Sequence, residues 1–398
     1  MKIIEKIEQR IYTRYAFDFS EKLPNFDLNK TNHLYLPEHV NKFFDVINVQ
    51  KGLSKLLLEV PVASIQILFG LILLAFYHPI FIAFGLILLT ILILILKVTS
   101  RKGLETSLEE SKYKYMTVSW LQEMARVIKS FKLSQGSHLN LIKTDKNVLG
   151  YLKSRTAHFN ILLIQYQTLV FFKVLITLAM LLIGSYLLID QKINIGEFIA
   201  AEIVIIMVIG AVEKLISSLN SIYDVITGLE KLDSVIESPQ ELDGNIELKV
   251  GKKGIAFEFE NFHFDYDSNK KIFENLHLVI PADSIIAIQG QEGIGKTTLL
   301  RILSGNYRSF KGSLSINNIP IQNYQLESLR STLGVYLQQQ DIFKGTVLEN
   351  ISMGRKDISV ETISDLSEKL GIGNFIKSLE KGFETEIDSS GKNSLVPL

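Results

Sequence analysis

Residues 60–96 form a run of 37 positions without a single Asp, Glu, Lys or Arg. A bilayer's hydrocarbon core takes a helix of about 20 apolar residues, so one uncharged block of this length has room for two crossings. Phe76-Tyr77-His78-Pro79 lies at its middle. Proline lacks the N–H a helix interior needs and clashes with the preceding turn, so this sequence marks a tight turn between two spans. Glu59 and Lys97 close the two ends. Further on, residues 156–189 carry one charge, Lys173, and the polar link Asp190-Gln191-Lys192 leads into 194–212, which holds Glu197 and Glu202. Glu197 can sit at an interface. Glu202 lies deeper and would face other helices or a water-filled cavity, because an ionised group in lipid is costly. Buried helices of a soluble protein are the other reading, and core helices rarely keep an uncharged run of this length. The pattern therefore predicts four spans, at about 57–77, 80–97, 158–189 and 194–217.

Charge orients these spans. Residues 100–155 carry 11 Lys/Arg against 5 Asp/Glu, which places that segment in the cytoplasm by the positive-inside rule. The link at 190–192 is then outside, and the chain beyond about 218 is cytoplasmic again. The first 15 residues include Lys2, Glu5, Lys6, Glu8, Arg10 and Arg14 and have no apolar stretch of the kind a signal peptide needs. The whole chain of 398 residues balances 42 Lys+Arg against 42 Asp+Glu. That argues against a nucleic-acid partner, which calls for a basic surface. With no cysteine, disulfides, thiolate metal sites and a cysteine nucleophile are excluded. The seven histidines are scattered and form no H-E-x-x-H.

The segments flanking the spans, 1–55 and 98–157, read as helical extensions. Ile3, Ile7 and Ile11 recur every four residues among charges. Two readings stay open for them: a helical hairpin packed on itself, or a lever that touches a cytoplasmic domain. Ile216, Leu219, Ile222, Ile226 and Leu229 continue a helical stripe, and Ser238-Pro239-Gln240 and Asp243-Gly244-Asn245 then read as loop. The chain thus divides into a helical transmembrane domain at 1–237, a linker at 238–252 and a C-terminal domain at 253–398.

The C-terminal domain opens with a predicted strand at 255–264, where Ile255, Phe257 and Phe259 alternate with polar neighbours. A short apolar run at 284–289 reads as a buried strand. Next comes Gly290-Gln291-Glu292-Gly293-Ile294-Gly295-Lys296-Thr297, which matches G-x-x-x-x-G-K-[ST] at every fixed position, with a helix-like stretch from Thr298 behind it. Glycines at 290, 293 and 295 let main-chain N–H groups close round phosphates without side-chain clashes, and a helix N-terminus adds positive potential. Lys296 would bridge the β- and γ-phosphates of ATP, and the Thr297 hydroxyl would bind Mg²⁺. Glu292 is out of keeping beside a triphosphate unless it points to solvent. A glycine-rich turn with a chance lysine is the plainer alternative.

This order of domains resembles the ATP-binding cassette (ABC) exporters, and further motifs agree. Tyr266, in Phe262-His263-Phe264-Asp265-Tyr266, is similar to the aromatic that stacks on adenine in that family. Gly312-Ser-Leu-Ser-Ile-Asn-Asn-Ile-Pro-Ile, followed by Leu326-Glu-Ser-Leu-Arg330, resembles the family's G-x-I-x-I-D-G-x-x-I…L-x-x-L-R stretch. Gln338 is similar to the Q-loop glutamine, with Gln339 and Gln340 leaving its register open; Lys344-Gly345-Thr346-Val-Leu-Glu-Asn350-Ile351 continues the pattern. Glu123-Met-Ala-Arg-Val-Ile-Lys129 and Glu21-Lys-Leu-Pro-Asn-Phe26 resemble the intracellular loops, and Ile195-Gly196-Glu197-Phe198 resembles the start of the last span.

The resemblance implies a helical transmembrane domain followed by an α/β P-loop nucleotide-binding domain. It implies ATP contacts at Tyr266, Gly290, Gly293, Ile294, Gly295, Lys296, Thr297 and Thr298, and Mg²⁺ bound through ATP at Thr297 and Gln338. Its partner would be a second half-transporter, in a homodimer or heterodimer within membrane lipid, and the transported substrate is unknown. The setting implied is multi-pass, in a bacterial inner or plasma membrane, with the nucleotide-binding domain cytoplasmic. The family has six spans, two more than the four of this sequence. Its LSGGQ signature, Walker B aspartate and catalytic glutamate are absent from residues 1–398, although Gly382-Phe-Glu-Thr385 resembles the lead-in to the signature. Two expectations follow. Either the chain is an exporter subunit that couples ATP binding and hydrolysis to transport, not competent alone, or it is a truncated or split membrane fragment. Such a fragment would not hydrolyse ATP, and would bind it weakly or act only with a complementing partner.

Overall fold

The computed structural model describes residues 2–32, 34–134, 137–252, 254–266, 271–337 and 342–388. The chain forms two compact units. The first comprises Met1–Leu242 with Tyr266–Lys270 and Tyr307–Ser309; the second comprises Asp243–Asp265, Lys271–Asn306 and Phe310–Leu398.

The first unit is helical: α1 (Lys2–Lys22), α2 (Leu36–Asn41), α3 (Asp45–Tyr77), α4 (Ile80–Arg126), α5 (Ile128–Leu133), α6 (Leu139–Ile189), α7 (Ile195–Ser217) and α8 (Leu219–Ile236). Its long core joins Ala63, Ile67 and Leu74 of α3 to Phe172, Ile176 and Met180 of α6 and to Ala201, Ile205 and Val208 of α7. The steps within each set are three, four or seven residues, the spacing of one helix face. The opposite faces stay apolar too: Leu68, Phe69 and Phe76, Val174 and Leu182, and Ile203 and Ile206 are all exposed. Helices apolar all round suit a bilayer, where every backbone polar group must be satisfied within the helix. Small residues allow the close approaches: a Cβ at Gly70 would lie 2.3 Å from Val208 Cγ2, and one at Gly184 would lie 2.3 Å from the Phe198 ring.

Among the described residues, Leu36–Tyr77, Leu139–Ile189 and Ile195–Ile236 are long and apolar enough to cross a membrane. The remaining predicted span, 80–97, lies within α4; the side chains at 84, 88, 89, 92, 95 and 96 are not among those described. The turn at His78-Pro79 leaves the helix with His78 extended (φ −162°, ψ 140°), and its Nδ1 accepts the Ile80 N–H at 3.2 Å. Beyond residue 98, α4 runs alongside α6, whereas α1 packs on α3 and α8. Arg155 binds both Glu110 oxygens at 3.1 and 3.2 Å. Trp120 donates to Thr144 at 3.1 Å, with Lys143 Nζ 4.6 Å from the indole centroid.

The second unit contains a four-stranded antiparallel sheet in the order β2-β1-β3-β4, built from β1 (Phe257–Asp265), β2 (Lys271–Ile280), β3 (Lys311–Ile316) and β4 (Ile319–Pro320). The predicted period-two alternation holds only to Phe259. Asn261 then adopts φ +46° within a register shift between Phe259 and Phe262. The extra residue resets the face, so Phe259, Phe262 and Phe264 are all buried. Gly312 sits opposite the bulge, where a Cβ would lie 2.0 Å from the Asn261 carbonyl oxygen. The short helices of this unit, among the described residues, are α9 (Lys296–Leu303), α10 (Leu326–Thr332), α11 (Val347–Ser352), α12 (Val360–Lys369) and α13 (Gly373–Ser378). A two-stranded pair, β5 (Gly345–Thr346) and β6 (Glu386–Ile387), accompanies them.

One expectation is corrected. Residues 284–289 are neither buried nor part of a ladder among the described residues: Ile285 is fully exposed, and Ile286 and Ile288 are exposed as well. A strand exists only by pairing with a neighbour, and the antiparallel sheet contains no member that pairs with this run.

Candidate phosphate-binding loop

The glycine loop leads directly into α9. Gly295 is its N-cap, in a left-handed conformation at φ +109°, and Gly293 has φ +81°. Side-chain-bearing residues disfavour both. Gly295 is also fixed by space, because a Cβ there would lie 2.8 Å from Ile272 Cγ2 and 3.1 Å from Phe273 Cζ. Strand β2 thus packs against the loop and admits only hydrogen at that position. Gly293 has open space around it.

Lys296, the first residue of α9, folds back over the loop. Its Nζ donates to the Gly290 and Gln291 carbonyls, each at 2.8 Å. The ammonium therefore spans the loop and is held where an anion resting on the glycine N–H groups would meet it. Thr297 is exposed and Thr298 is buried. Ile294 and Glu292 are exposed, which removes the objection that Glu292 would repel a bound triphosphate. Helix α9 is anchored by Leu299 and Ile302, at 6% and 0% exposure.

The structure thus brings Gly290, Gly293, Ile294, Gly295, Lys296, Thr297 and Thr298 into one loop and first helical turn. Tyr266 follows the end of β1 and falls in the first unit, where its ring meets Tyr307 edge-on at 5.4 Å and 84°. Gln338, with Gln339 and Gln340, lies outside the described residues. Shortly after them the structure shows a device that spacing alone makes readable, Thr346-x-x-Glu349. Thr346 Oγ1 accepts the Glu349 N–H at 3.0 Å, and Glu349 Oε2 accepts the Thr346 N–H at 2.8 Å, a capping box that starts α11.

Residues 273–392 match the model of the ABC transporter family. The ABC transporter ATP-binding protein YknV of Bacillus subtilis is 30% identical over 220 residues, which are 54% of this chain and 36% of that protein. The mitochondrial iron-sulfur clusters transporter ATM1 of Saccharomyces cerevisiae is 35% identical over 133 residues, 33% of this chain and 19% of that protein. The matched region thus spans little more than a third of the length of the first of these relatives and less of the second. A solved structure of a bacterial Atm1-family ABC exporter with ATP bound shares the fold at a TM-score of 0.84 and 18% identity, over 98% of this chain and 68% of that one.

Proposed function

From the premise that this chain carries an ABC transporter domain behind a helical domain of the ABC exporter fold, we propose that it is an exporter subunit. In this reading it binds ATP at the glycine loop and couples that binding to movement of a substrate through the membrane domain. The observation that carries this is the Lys296 ammonium held across the mouth of a left-handed glycine loop at a helix N-terminus. Such a donor set fits a triphosphate: loop N–H groups and one cation meet the phosphate oxygens. The exposed Thr297 hydroxyl suits a magnesium ion, which takes hard oxygen ligands and supplies charge neutralisation to the bound phosphates.

We assign Gly290, Gly293, Ile294, Gly295 and Thr298 to the phosphate cradle, Lys296 to the β/γ-phosphates, and Thr297 and Gln338 to the magnesium. Tyr266 is assigned to the adenine. Hydrolysis also needs a group that places the attacking water in line, a role to which no residue of the chain is assigned. A second subunit of the same kind completes the transporter in this reading, as homodimer or heterodimer. Binding of a fluorescent ATP analogue to the chain in lipid nanodiscs tests the proposal. Lys296→Ala should weaken binding at least tenfold while leaving the thermal midpoint within a few degrees. Equal affinity in the two proteins overturns it.

A further inference from the structure

Outside the glycine loop, the first unit contains a polar cavity of about 60 Å³. It lies between α3, α4 and α8, away from the apolar stretches. One water needs roughly 10–15 Å³ of such space, so the cavity has room for water or a small ion. Three carboxylates line it: Asp45, Glu110 and Asp224. Asp45 is 3% exposed and is well supplied, accepting from the Tyr115 hydroxyl at 2.5 Å, Asn48 at 2.8 Å and Lys114 at 3.4 Å. Glu110 is held by Arg155. Asp224 stands at the exposed rim, where it accepts from the neutral Asn220 amide at 3.0 Å. Three carboxylates therefore face two permanent cations, Lys114 in the lining and Arg155 on Glu110, with the His158 ring also acting on Asp224.

A second observation is independent of charge. Ser111 lines the same cavity, is 6% exposed, and its Oγ has no hydrogen-bond partner. A buried hydroxyl without a partner gives up its hydration with nothing in exchange, so it favours a ligand that restores a contact. Beside it Ser107 and Thr227 share a hydrogen bond at 3.0 Å, which leaves oxygen lone pairs free to face the cavity.

We propose that this cavity binds a small monovalent cation, sodium or potassium, held by Asp224, the Ser111 hydroxyl and trapped water. The donors are all hard oxygens, which suit such ions. One positive charge balances the local excess. Among the described residues no three His, Asp or Glu side chains converge closely enough to ligate a metal ion together, which disfavours a divalent ion, whose tighter charge calls for several direct carboxylates. Asp224 at the rim gives the ion a way in.

The test compares thermal unfolding of the full chain in nanodiscs in sodium, potassium and choline chloride at equal ionic strength. Choline carries the same charge and is too large for the cavity. Sodium or potassium should raise the midpoint by about 2–4 °C over choline, saturating with concentration, and the two ions tell which is preferred. Asp224→Asn and Ser111→Val should each remove the shift. Equal midpoints in all three salts show that water alone fills the cavity and overturn the proposal, as does a shift that survives both substitutions. Should Asp224→Asn fail to fold, sodium-23 relaxation decides the matter: broadening by the parent chain that Ser111→Val abolishes supports the site, and equal broadening overturns it.

Discussion

Asn350 binds both main-chain polar groups of Phe343, accepting the Phe343 N–H on Oδ1 at 3.0 Å and donating from Nδ2 to the Phe343 carbonyl at 3.0 Å. The same Nδ2 reaches the Thr346 carbonyl at 3.0 Å. One side chain thus ties the loop that follows the glutamine run to the helix beyond it. Asn350→Ala should cost about 1–3 kcal/mol of local stability and speed amide exchange at Phe343. Asn350→Asp keeps the acceptor and loses the donor, so it should retain protection at Phe343 N–H better than alanine does. Unchanged exchange in the alanine variant would show that the loop is held by other means.

Glu197 sits at the start of an apolar helix for a structural reason. Its carboxylate accepts the Asn194 N–H at 2.8 Å, while Asn194 Oδ1 accepts the Glu197 N–H at 2.8 Å. Two amides that α7 would otherwise leave unpaired are satisfied reciprocally. Asn194→Ala should destabilise the first turn of α7 by about 0.5–2 kcal/mol, read as faster exchange at residues 195–198. Glu197→Gln preserves the acceptor and should cost less than Glu197→Ala.

The reach of the sequence differs from element to element. The helical spans and the glycine loop follow from local rules: uncharged runs of helix length, and glycines whose spacing admits left-handed backbone. Asn194-x-x-Glu197 and Thr346-x-x-Glu349 are equally local. Yet hydropathy marks Glu197 only as an interfacial acid, and Thr346 stands out only within a family resemblance. What cannot be read depends on partners distant in the chain. Residues 284–289 have a strand's composition, but a strand needs a neighbour. The bulge at Asn261 shifts Phe262 onto the core face, a step of one residue that period-two patterning does not foresee. The cavity beside Asp45 joins residues from three helices, none of them marked by spacing.

Tyr115 and Asp45 show what such a distant pairing is worth. Burial, and then the hydrogen bond to Asp45, hold the Tyr115 phenol well above its ordinary pKa, so it stays a donor across the physiological range. Asp45 is almost fully buried, and a buried charge that loses a donor is costly. Tyr115→Phe should therefore destabilise the first unit by about 1.5–3 kcal/mol in denaturant or thermal unfolding. Asn48 and Lys114 remain on Asp45, which keeps the loss short of that from an unpaired ion. A change under about 0.5 kcal/mol, well below a typical charged hydrogen bond, would show that water replaces the phenol.

The two left-handed glycines of the loop should respond differently to one added methyl group. At Gly293, φ is +81° and nothing lies within 4 Å of a new Cβ, so alanine there meets backbone strain alone, about 1–2 kcal/mol. At Gly295 the strain is joined by contacts of 2.8 Å to Ile272 and 3.1 Å to Phe273. The methyl cannot fit unless β2 or the start of α9 moves. Gly295→Ala should therefore lose more stability than Gly293→Ala, and should also displace Lys296 from the Gly290 and Gln291 carbonyls and weaken nucleotide binding. Trimming the neighbour separates the two costs. Adding Ile272→Ala to Gly295→Ala should recover part of the loss, a coupling of about 0.5–3 kcal/mol in a double-mutant cycle, whereas Ile272→Ala with Gly293→Ala should be additive. Additivity in both pairs would mean that β2 does not confine the loop.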